Sequence, residues 1–113
     1  KRVFNPLELS RGERPVITHV GRTSGQTYRT PLDAHPVEGG YLFILVYGSR
    51  SDWVLNVLAA GHARLTVDGE DIELTAPRIV DADEAWAVLP DTVKRPPGFL
   101  RISEYLRMDR ADG

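Results

Sequence analysis

The chain has no cysteine anywhere in its 113 residues. This absence excludes disulfides, iron–sulfur clusters, thiolate nucleophiles and cysteine-ligated zinc sites. It is also typical of a protein kept in a reducing compartment, so we expect a cytoplasmic location. The three histidines, His19, His35 and His62, lie far apart and have no partner at a ligand spacing. The sequence therefore predicts no metal site.

The sequence also lacks a strong excess of either charge and lacks long apolar runs. Lys and Arg number 14 against 16 Asp and Glu, for a formal net charge of −2. Without a clustered basic excess, no nucleic-acid partner is expected. No apolar run approaches the roughly 20 residues of a membrane-spanning helix, so we expect membrane association only through sequence preceding Lys1. The length favours a single domain over residues 1–113.

Familiar catalytic and nucleotide motifs are missing from the glycine-flanked stretch at residues 21–25. It reads Gly-Arg-Thr-Ser-Gly, whereas a nucleophile elbow needs Gly-x-Ser-x-Gly. A phosphate-binding loop of the Walker type would end in Gly-Lys-Ser or Gly-Lys-Thr. The dinucleotide fingerprint Gly-x-Gly-x-x-Gly is absent as well, which argues against a Rossmann-type site.

Short β-branched and apolar segments between turn residues predict a mainly β protein. The run YLFILVY at residues 41–47 predicts a strand buried on both faces, at the centre of a sheet. Asp68 and Gly69 form a strong hairpin signal. Pro31 and Pro77 remove ladder donors, so each predicts an edge position, a bulge or a strand end. The predicted strands span residues 15–20, 27–35, 41–47, 63–67 and 70–80, with a loop at 36–40.

Helical periodicity is clearest over residues 51–60. Ser51 or Asp52 is the expected N-cap, and Gly61 is suited to the left-handed residue just past the end. The expected buried face consists of Trp53, Asn56, Val57 and Ala60.

Two further helices are predicted towards the end of the chain. Asp81 with Glu84 three residues later resembles a capping box and starts a helix over residues 82–89. The spacing of Phe99, Ile102 and Leu106 predicts a last helix over residues 98–108. Together the elements predict a small antiparallel β-barrel or strongly coiled sheet with flanking helices.

The turn at residues 21–26 carries more polar groups than a hairpin needs. Successive amides in a glycine-flanked turn can form a concave anion site. Arg22 adds a guanidinium that binds phosphate or carboxylate, and Thr23 and Ser24 add hydroxyls. Arg29 is expected to return to the same rim. The alternative is a solvated loop with no ligand, and the residues alone leave both open.

A second candidate stretch runs from Tyr47 to Trp53, where an apolar strand leads into a helix. Gly48 would let a ligand approach the backbone closely, and helix N-termini favour anions and electron-rich ligand edges. The alternative is a plain strand-to-helix turn, with Trp53 belonging to the core and Tyr47 ending a core strand.

The two stretches together resemble a known family. "GRTSGQTYRTPL" at residues 21–32, "YGS" at 47–49 and "SDWVLNVLAAG" at 51–61 are similar to the deazaflavin (F420)-dependent nitroreductases. These are actinobacterial split β-barrel oxidoreductases, and the resemblance covers residues 16–80. It implies a split barrel and hydride transfer from reduced coenzyme F420 to quinones, nitro compounds or other electron-poor acceptors.

The resemblance also implies which residues form the site. The first motif would hold the phosphate and acidic tail of the coenzyme, and the second would line the deazaflavin ring. The implied coenzyme-binding residues are Arg22, Thr23, Ser24, Gly25, Tyr28, Arg29, Thr30, Pro31, Tyr47, Gly48, Ser49, Asp52, Trp53 and Asn56. Ser49 and Tyr47 are the catalytic candidates, because a hydroxyl beside the reacting ring can donate a hydrogen bond to substrate or coenzyme.

Other functions stay open at the sequence level. Family members often carry basic residues where this chain has Thr23 and Tyr28, which motivates a non-enzymatic carrier of a lipid or other apolar ligand. Flavin mononucleotide (FMN) in the same barrel is the alternative cofactor. The expected partner is a small-molecule acceptor, and by analogy with such barrels a homodimer is plausible.

Overall fold

The computed structural model describes residues 14–93 and 102–111. Within these ranges the chain forms seven strands and two helices. The strands are β1 (Val16–Val20), β2 (Thr27–Pro31), β3 (His35–Val37), β4 (Gly40–Ile44), β5 (His62–Val67), β6 (Glu70–Val80) and β7 (Tyr105–Arg110). The helices are α1 (Asp52–Ala60) and α2 (Ala82–Val88).

All seven strands join one antiparallel sheet in the order β2-β1-β5-β6-β7-β4-β3. β2 and β3 are its two edges, so the sheet is not a closed barrel. The predicted mainly β class is confirmed, and the strongly β architecture is consistent with a split-barrel-like fold. No helix in the described ranges is long and apolar enough to cross a membrane.

The two prolines within predicted strands lie where their missing donors are tolerated. Pro31 ends the edge strand β2. Pro77 lies in β6, where the pairing with β7 shifts register between Thr75 and Arg78. Ala76 in this bulge has a φ of 56°. Both prolines thus confirm the expectation that a residue without an N–H lies at an edge or a bulge.

β4 is covered on both faces, as its continuous apolar sequence predicts. Tyr41 and Phe43 belong to the larger core cluster, which α1 covers. Leu42 and Ile44 face the smaller cluster under α2. The predicted position was wrong, however, because β4 is second from an edge and β6 is at the centre. Two covered faces do not reveal how many strands lie on either side.

The predicted extension of this strand through residue 47 was also wrong. β4 ends at Ile44, and the chain then turns so that the amide of Gly48 donates to the carbonyl of Leu45 at 3.0 Å. Gly48 permits this turn with a φ of 85°. Tyr47 consequently projects into solvent with 91% of its surface exposed. Its place in an apolar run reflects the rim of a cleft, not the core.

The single strand predicted for residues 27–35 is in fact two strands at opposite edges of the sheet. After Pro31 the amide of Leu32 donates to the carbonyl of Pro15 at 2.9 Å, and the chain leaves β1. His35–Val37 then pairs with β4, so the predicted loop at 36–40 was wrong at its start. Nothing local in the sequence distinguishes this crossing from a continued strand.

The predicted helix at residues 98–108 was wrong over its final part. Residues 105–110 form β7, which pairs with β4 on one side and β6 on the other. Leu106 and Met108 are fully buried two residues apart, which is strand periodicity. Phe99 and residues 98–101 lie outside the described residues. The four-residue step from Ile102 to Leu106 suggested a helix because long-range pairing leaves no local signal.

Helix α1 packs on β1, β5 and β6 with a buried face somewhat different from the one predicted. Val54, Asn56 and Val57 are buried, and Trp53 packs against the same core. Ala60 is exposed, so its predicted place on the buried face was wrong. Ala59 is exposed as well, so the last turn of the helix reaches solvent.

The helix ends follow the predicted capping residues. Ser51 is the N-cap of α1, although its hydroxyl donates to the carbonyl of Gly48 instead of capping the helix. Gly61 follows α1 in the left-handed conformation at φ 81°. Asp81 caps α2 by accepting from the amide of Glu84 at 2.9 Å. These local signals place α1 directly behind the turn at residues 48–51.

Replacing Gly40 with alanine should destabilise the protein by about 3 kcal/mol, because a Cβ there would overlap the backbone of β7. The new atom would collide with the Met108 carbonyl oxygen and lie 2.8 Å from the Asp109 Cα. Urea denaturation measures the loss. Gly39→Ala is the control, since Gly39 has open space and a φ of 81° and should lose only about 1 kcal/mol. Equal losses in the two variants would contradict the close approach.

Candidate functional site

A cleft with two neighbouring parts lies beside the first turn of α1. The polar part has a volume of about 630 Å³ and borders the turn after β1. The apolar part has a volume of about 990 Å³ and borders the turn after β4. Thr30 and Trp53 line both parts, so the two spaces are neighbours at these side chains.

Most residues implied by the sequence lie on this cleft. The polar part is lined by Arg22, Thr23, Ser24, Tyr28, Arg29, Thr30, Asp52, Trp53 and Asn56. The apolar part is lined by Thr30, Pro31, Tyr47, Gly48 and Trp53. Gly25 and Ser49 line neither part. The two stretches singled out in the sequence therefore border two neighbouring spaces.

The turn after β1 is closed by its own backbone. Gly21 donates to the carbonyl of Gln26 at 2.8 Å, and Gly25 donates to the carbonyl of Gly21 at 3.0 Å. The amide of Gln26 donates to the Ser24 hydroxyl oxygen at 3.1 Å. Among residues 14–93 and 102–111, only the amides of Thr23 and Ser24 in this turn remain without a hydrogen bond. The turn therefore offers an anion two free amides, fewer than its six residues would supply if none were hydrogen-bonded.

Gly21 is required by packing inside the turn. A Cβ on Gly21 would lie 2.6 Å from the Ser24 hydroxyl oxygen and 2.9 Å from a ring carbon of Tyr28. The same two side chains approach each other, with their oxygens 3.2 Å apart. The absence of a side chain at residue 21 thus lets Ser24 and Tyr28 close over the start of β2.

Arg22 is anchored to the first two turns of α1. Its backbone amide and its Nη1 both donate to the side-chain oxygen of Asn56, at 3.1 and 2.7 Å. Its Nη2 lies 3.3 Å from a carboxylate oxygen of Asp52, which is highly exposed. The guanidinium is consequently held at the mouth of the polar part, with one exposed acidic neighbour.

His19 is a site residue that the sequence interpretation missed. It is only 5% exposed, lies in β1 on the same face as the core residue Ile17, and stacks on Tyr28 at 5.9 Å between ring centroids. Its Nδ1 is 3.1 Å from the Asn56 amide nitrogen, and its Nε2 is 2.9 Å from the Thr30 hydroxyl. Burial lowers the pKa of His19, which favours the neutral ring.

The histidines do not form a metal centre in the described part of the chain. No group of three or more His, Asp or Glu side chains there is arranged to hold a metal ion. His35 lines the apolar part, and burial lowers its pKa although Asp33 nearby acts in the opposite direction. His19 and His35 thus have different neighbours.

Arg29 lies at the edge of the polar part on a strand that alternates its side chains. Tyr28 pairs with His19 and Arg29 pairs with Thr18, so the Cβ of Arg29 leaves the sheet on the other face. Within residues 14–93 and 102–111 Arg29 has no hydrogen bond or ion pair. Its guanidinium is therefore an unpaired positive charge among the described residues, in contrast to the anchored Arg22.

The apolar part is built around Trp53 and Phe43, whose rings meet edge to face at 5.8 Å. Leu32 and Leu45 continue this wall from the core. Val46 and Tyr47 form the exposed rim after β4. An aromatic floor with an apolar rim suits a flat, largely uncharged ring system.

Ser49 is held by Glu104, a second residue that the sequence interpretation missed. The Ser49 amide donates to one carboxylate oxygen of Glu104 at 3.0 Å, and its hydroxyl donates to the other at 2.9 Å. The carbonyl of Glu104 accepts from the amide of Leu45 at 3.3 Å. Glu104 therefore ties the segment before β7 to the turn that precedes α1.

A comparison with protein families decides the class of this protein. The family described as F420H(2)-dependent quinone reductase matches residues 7–99. The chain belongs to this family. Comparison with curated individual proteins gave no match.

Family membership confirms the resemblance found in the sequence. The protein is an oxidoreductase that depends on reduced coenzyme F420, and its partner is a small-molecule acceptor. The motifs that carry the resemblance are the two that border the cleft. The roles of individual residues in that cleft are proposals, developed below.

Proposed function

We propose that the protein transfers a hydride from reduced coenzyme F420 to a quinone, or to another electron-poor acceptor such as a nitro compound, within the two-part cleft. One observation carries the proposal: a polar space next to Arg22 and an aromatic space lie side by side, with Trp53 and Thr30 lining both. The coenzyme has a charged tail and a flat ring, which is the same division. When bound, it supplies the hydride, and the protein supplies position and electrostatics.

The polar part is proposed to hold the phosphate and acidic tail. Arg22 offers a fixed guanidinium, and the amides of Thr23 and Ser24 point to no acceptor in the described residues. Arg29 adds a second positive charge at the rim. Charge-assisted hydrogen bonds of this kind each contribute about 1.5–3 kcal/mol, so a few together support micromolar binding.

The apolar part is proposed to hold the deazaflavin ring and the acceptor. Trp53 lines both spaces, so a ring there contacts an aromatic face while its tail points towards Arg22. The exposed Val46 and Tyr47 would cover the ring and exclude water once a ligand is present. Gly48 leaves room for a ring edge to approach the backbone.

Tyr47 and Ser49 remain the candidate hydroxyls for the reaction. Tyr47 lies at the rim of the apolar part with a free hydroxyl among the described residues, and can donate to an acceptor oxygen. The Ser49 hydroxyl already donates a hydrogen bond to the carboxylate of Glu104. We therefore propose that Tyr47 is the donor to substrate, whereas Ser49 offers only lone pairs or acts through the turn that it stabilises.

The test is a titration of the purified protein with coenzyme F420, followed by its fluorescence, together with oxidation of the reduced coenzyme by a quinone and by a nitro compound. Saturable binding and quinone-dependent oxidation are expected. Absence of binding at tens of micromolar would contradict the proposal.

Native mass spectrometry separates the alternatives: a co-purified lipid without redox activity supports a carrier, and bound FMN supports a flavoprotein. Sedimentation equilibrium tests the proposed homodimer.

The variant Asp52→Asn should bind the coenzyme about twofold to threefold more tightly at low ionic strength, because it removes a negative charge beside an anion site. The Asp52 side chain is 88% exposed, so its pair with Arg22 adds little stability. Fluorescence titration at two salt concentrations measures the effect, and the gain should shrink at high salt. Weaker binding by this variant would show that Asp52 contacts the ligand favourably.

A further inference from the structure

A continuous chain of hydrogen bonds runs from the mouth of the polar part into the protein. Arg22 has only donors on its guanidinium, so the atom of Asn56 that it contacts must be the amide oxygen. The Asn56 nitrogen therefore faces His19, at 3.1 Å from Nδ1. The orientation of the Asn56 amide is fixed by Arg22 on one side.

This orientation also decides the state of the imidazole. Because the Asn56 nitrogen is a donor, Nδ1 of His19 must accept and cannot carry a proton. The ring proton then lies on Nε2, which donates to the Thr30 hydroxyl oxygen at 2.9 Å. A second proton on His19 would place an N–H at Nδ1 directly against the N–H of Asn56. The two donors would repel each other, and the chain of hydrogen bonds would break.

We propose that His19, as the neutral Nε2–H tautomer, is a positioning residue for coenzyme binding. It holds the Asn56 amide so that its oxygen can accept from both the backbone and the guanidinium of Arg22. It acts through two other residues and does not itself need to contact the ligand. The inference rests on the proposed function for the identity of that ligand.

The groups around His19 account for its preference for the neutral state. Tyr28 from β2 stacks on the ring, and burial lowers the pKa. Arg22 and Asp52 lie beyond Asn56 and oppose each other in charge. On β5, Arg64 pairs with Thr18 and projects to the far face, where it bonds to Glu73. No carboxylate among the described residues contacts the ring to stabilise a positive charge.

The pH dependence of folding has a definite sign. The pKa of His19 in the folded protein lies below the 6.5 of a free imidazole. As the pH falls through that value the unfolded chain takes up its proton first. The contribution of His19 to stability is therefore complete above about pH 6.5 and is lost below it. His35 has the same sign, so variants at residue 19 are needed to separate them.

Coenzyme binding should follow the same titration. Between about pH 7.5 and pH 5.5 the dissociation constant of the wild-type protein for coenzyme F420 should rise. The variant His19→Asn keeps an acceptor near the Nδ1 position and cannot titrate, so it should bind at neutral pH within about threefold of wild type. Its dissociation constant should lack the wild-type rise at acidic pH.

The variant His19→Phe keeps a ring against Tyr28 but removes both nitrogens. It should bind coenzyme F420 about fivefold more weakly at neutral pH, because Arg22 must then be ordered on binding. The exposed His62, which lines neither part of the cleft, gives the control variant His62→Asn. This control should retain both the affinity and the pH dependence of the wild type.

Nitrogen-15 NMR of the free protein provides a readout that does not depend on the coenzyme. It should report the Nε2–H tautomer for His19 and a changed Arg22 guanidinium signal in His19→Phe. An Nδ1–H tautomer, an unchanged affinity in His19→Phe, or an unchanged pH dependence in His19→Asn would each overturn the positioning role. If the wild-type protein does not bind coenzyme F420, the proposed function fails, while these two NMR signals still decide whether His19 positions Arg22.

Discussion

The variant Arg22→Ala is expected to bind coenzyme F420 at least about tenfold more weakly than the wild type, a loss of about 1.4 kcal/mol. The physical reason is the removal of one fixed charge from the mouth of the polar part. The turn itself should persist, because the backbone amide of residue 22 keeps its bond to Asn56. The effect is therefore expected in affinity, with a much smaller change in the free energy of unfolding.

Two further variants make this prediction specific. Arg22→Lys keeps the charge without the planar fork and should fall between alanine and wild type. Arg64→Ala removes an exposed arginine that pairs with Glu73 away from the cleft, and should bind normally. Fluorescence titration measures all three. An affinity for Arg22→Ala equal to that of the wild type would remove Arg22 from the coenzyme site.

The variant Leu106→Ala is expected to lower the free energy of unfolding by about 4 kcal/mol, since large-to-small changes in a fully packed core cost about 2–5 kcal/mol. Leu106 is 0% exposed and lies in β7 between Phe43 of β4 and Ile79 of β6. The side chain belongs to the core cluster that carries α1. Its loss leaves a cavity under the helix that borders the cleft.

Denaturation in urea measures the loss, with Arg107→Ala as the comparison. Arg107 is the next residue and is half-buried on the other face of β7, so its replacement should cost clearly less than that of Leu106. A difference of this kind between adjacent residues reflects the strand alternation of β7. Equal losses, or a loss below about 1 kcal/mol for Leu106→Ala, would contradict its place in the sheet.

Local signals predicted some of the turns and helix ends correctly. Asp68 and Gly69 both have positive φ values, as a tight hairpin between β5 and β6 requires. Asp81 caps α2 through its own side chain, and Pro31 ends an edge strand. In each case the residues that carry the information are within a few positions of the structure they determine.

Long-range pairing explains what could not be predicted. β7 pairs with β4, more than 60 residues earlier in the chain, and β3 forms only because β4 offers an edge. The apolar spacing of Ile102 and Leu106 fits a helix until those partners are known. The same limit applied to β4, whose two buried faces do not specify its place in the sheet order.

The candidate site shows the same contrast between local signals and long-range contacts. Arg22, Trp53 and Asn56 were proposed as site residues because they belong to two recognisable stretches, and all three line the polar part of the cleft. His19 and Glu104 were missed because each acts through a contact with a distant part of the chain. The one available signal for His19 was its position two residues after Ile17 in a strand, which places both side chains on the same face.

We propose that coenzyme F420 lies across both parts of the cleft, with its tail at Arg22 and its ring at Trp53. The most direct measurement is residue-resolved NMR of the protein during titration with the coenzyme. The chain has two tryptophans, so the indole signals carry an internal control: Trp53 lines the cleft, whereas Trp86 belongs to α2 and packs on Tyr105. For this placement we expect saturable shifts of the Trp53 indole and of the amides of Thr23 and Ser24, with Trp86 unchanged. Shifts centred on Trp86, or a Trp53 indole that does not respond at saturation, would contradict it.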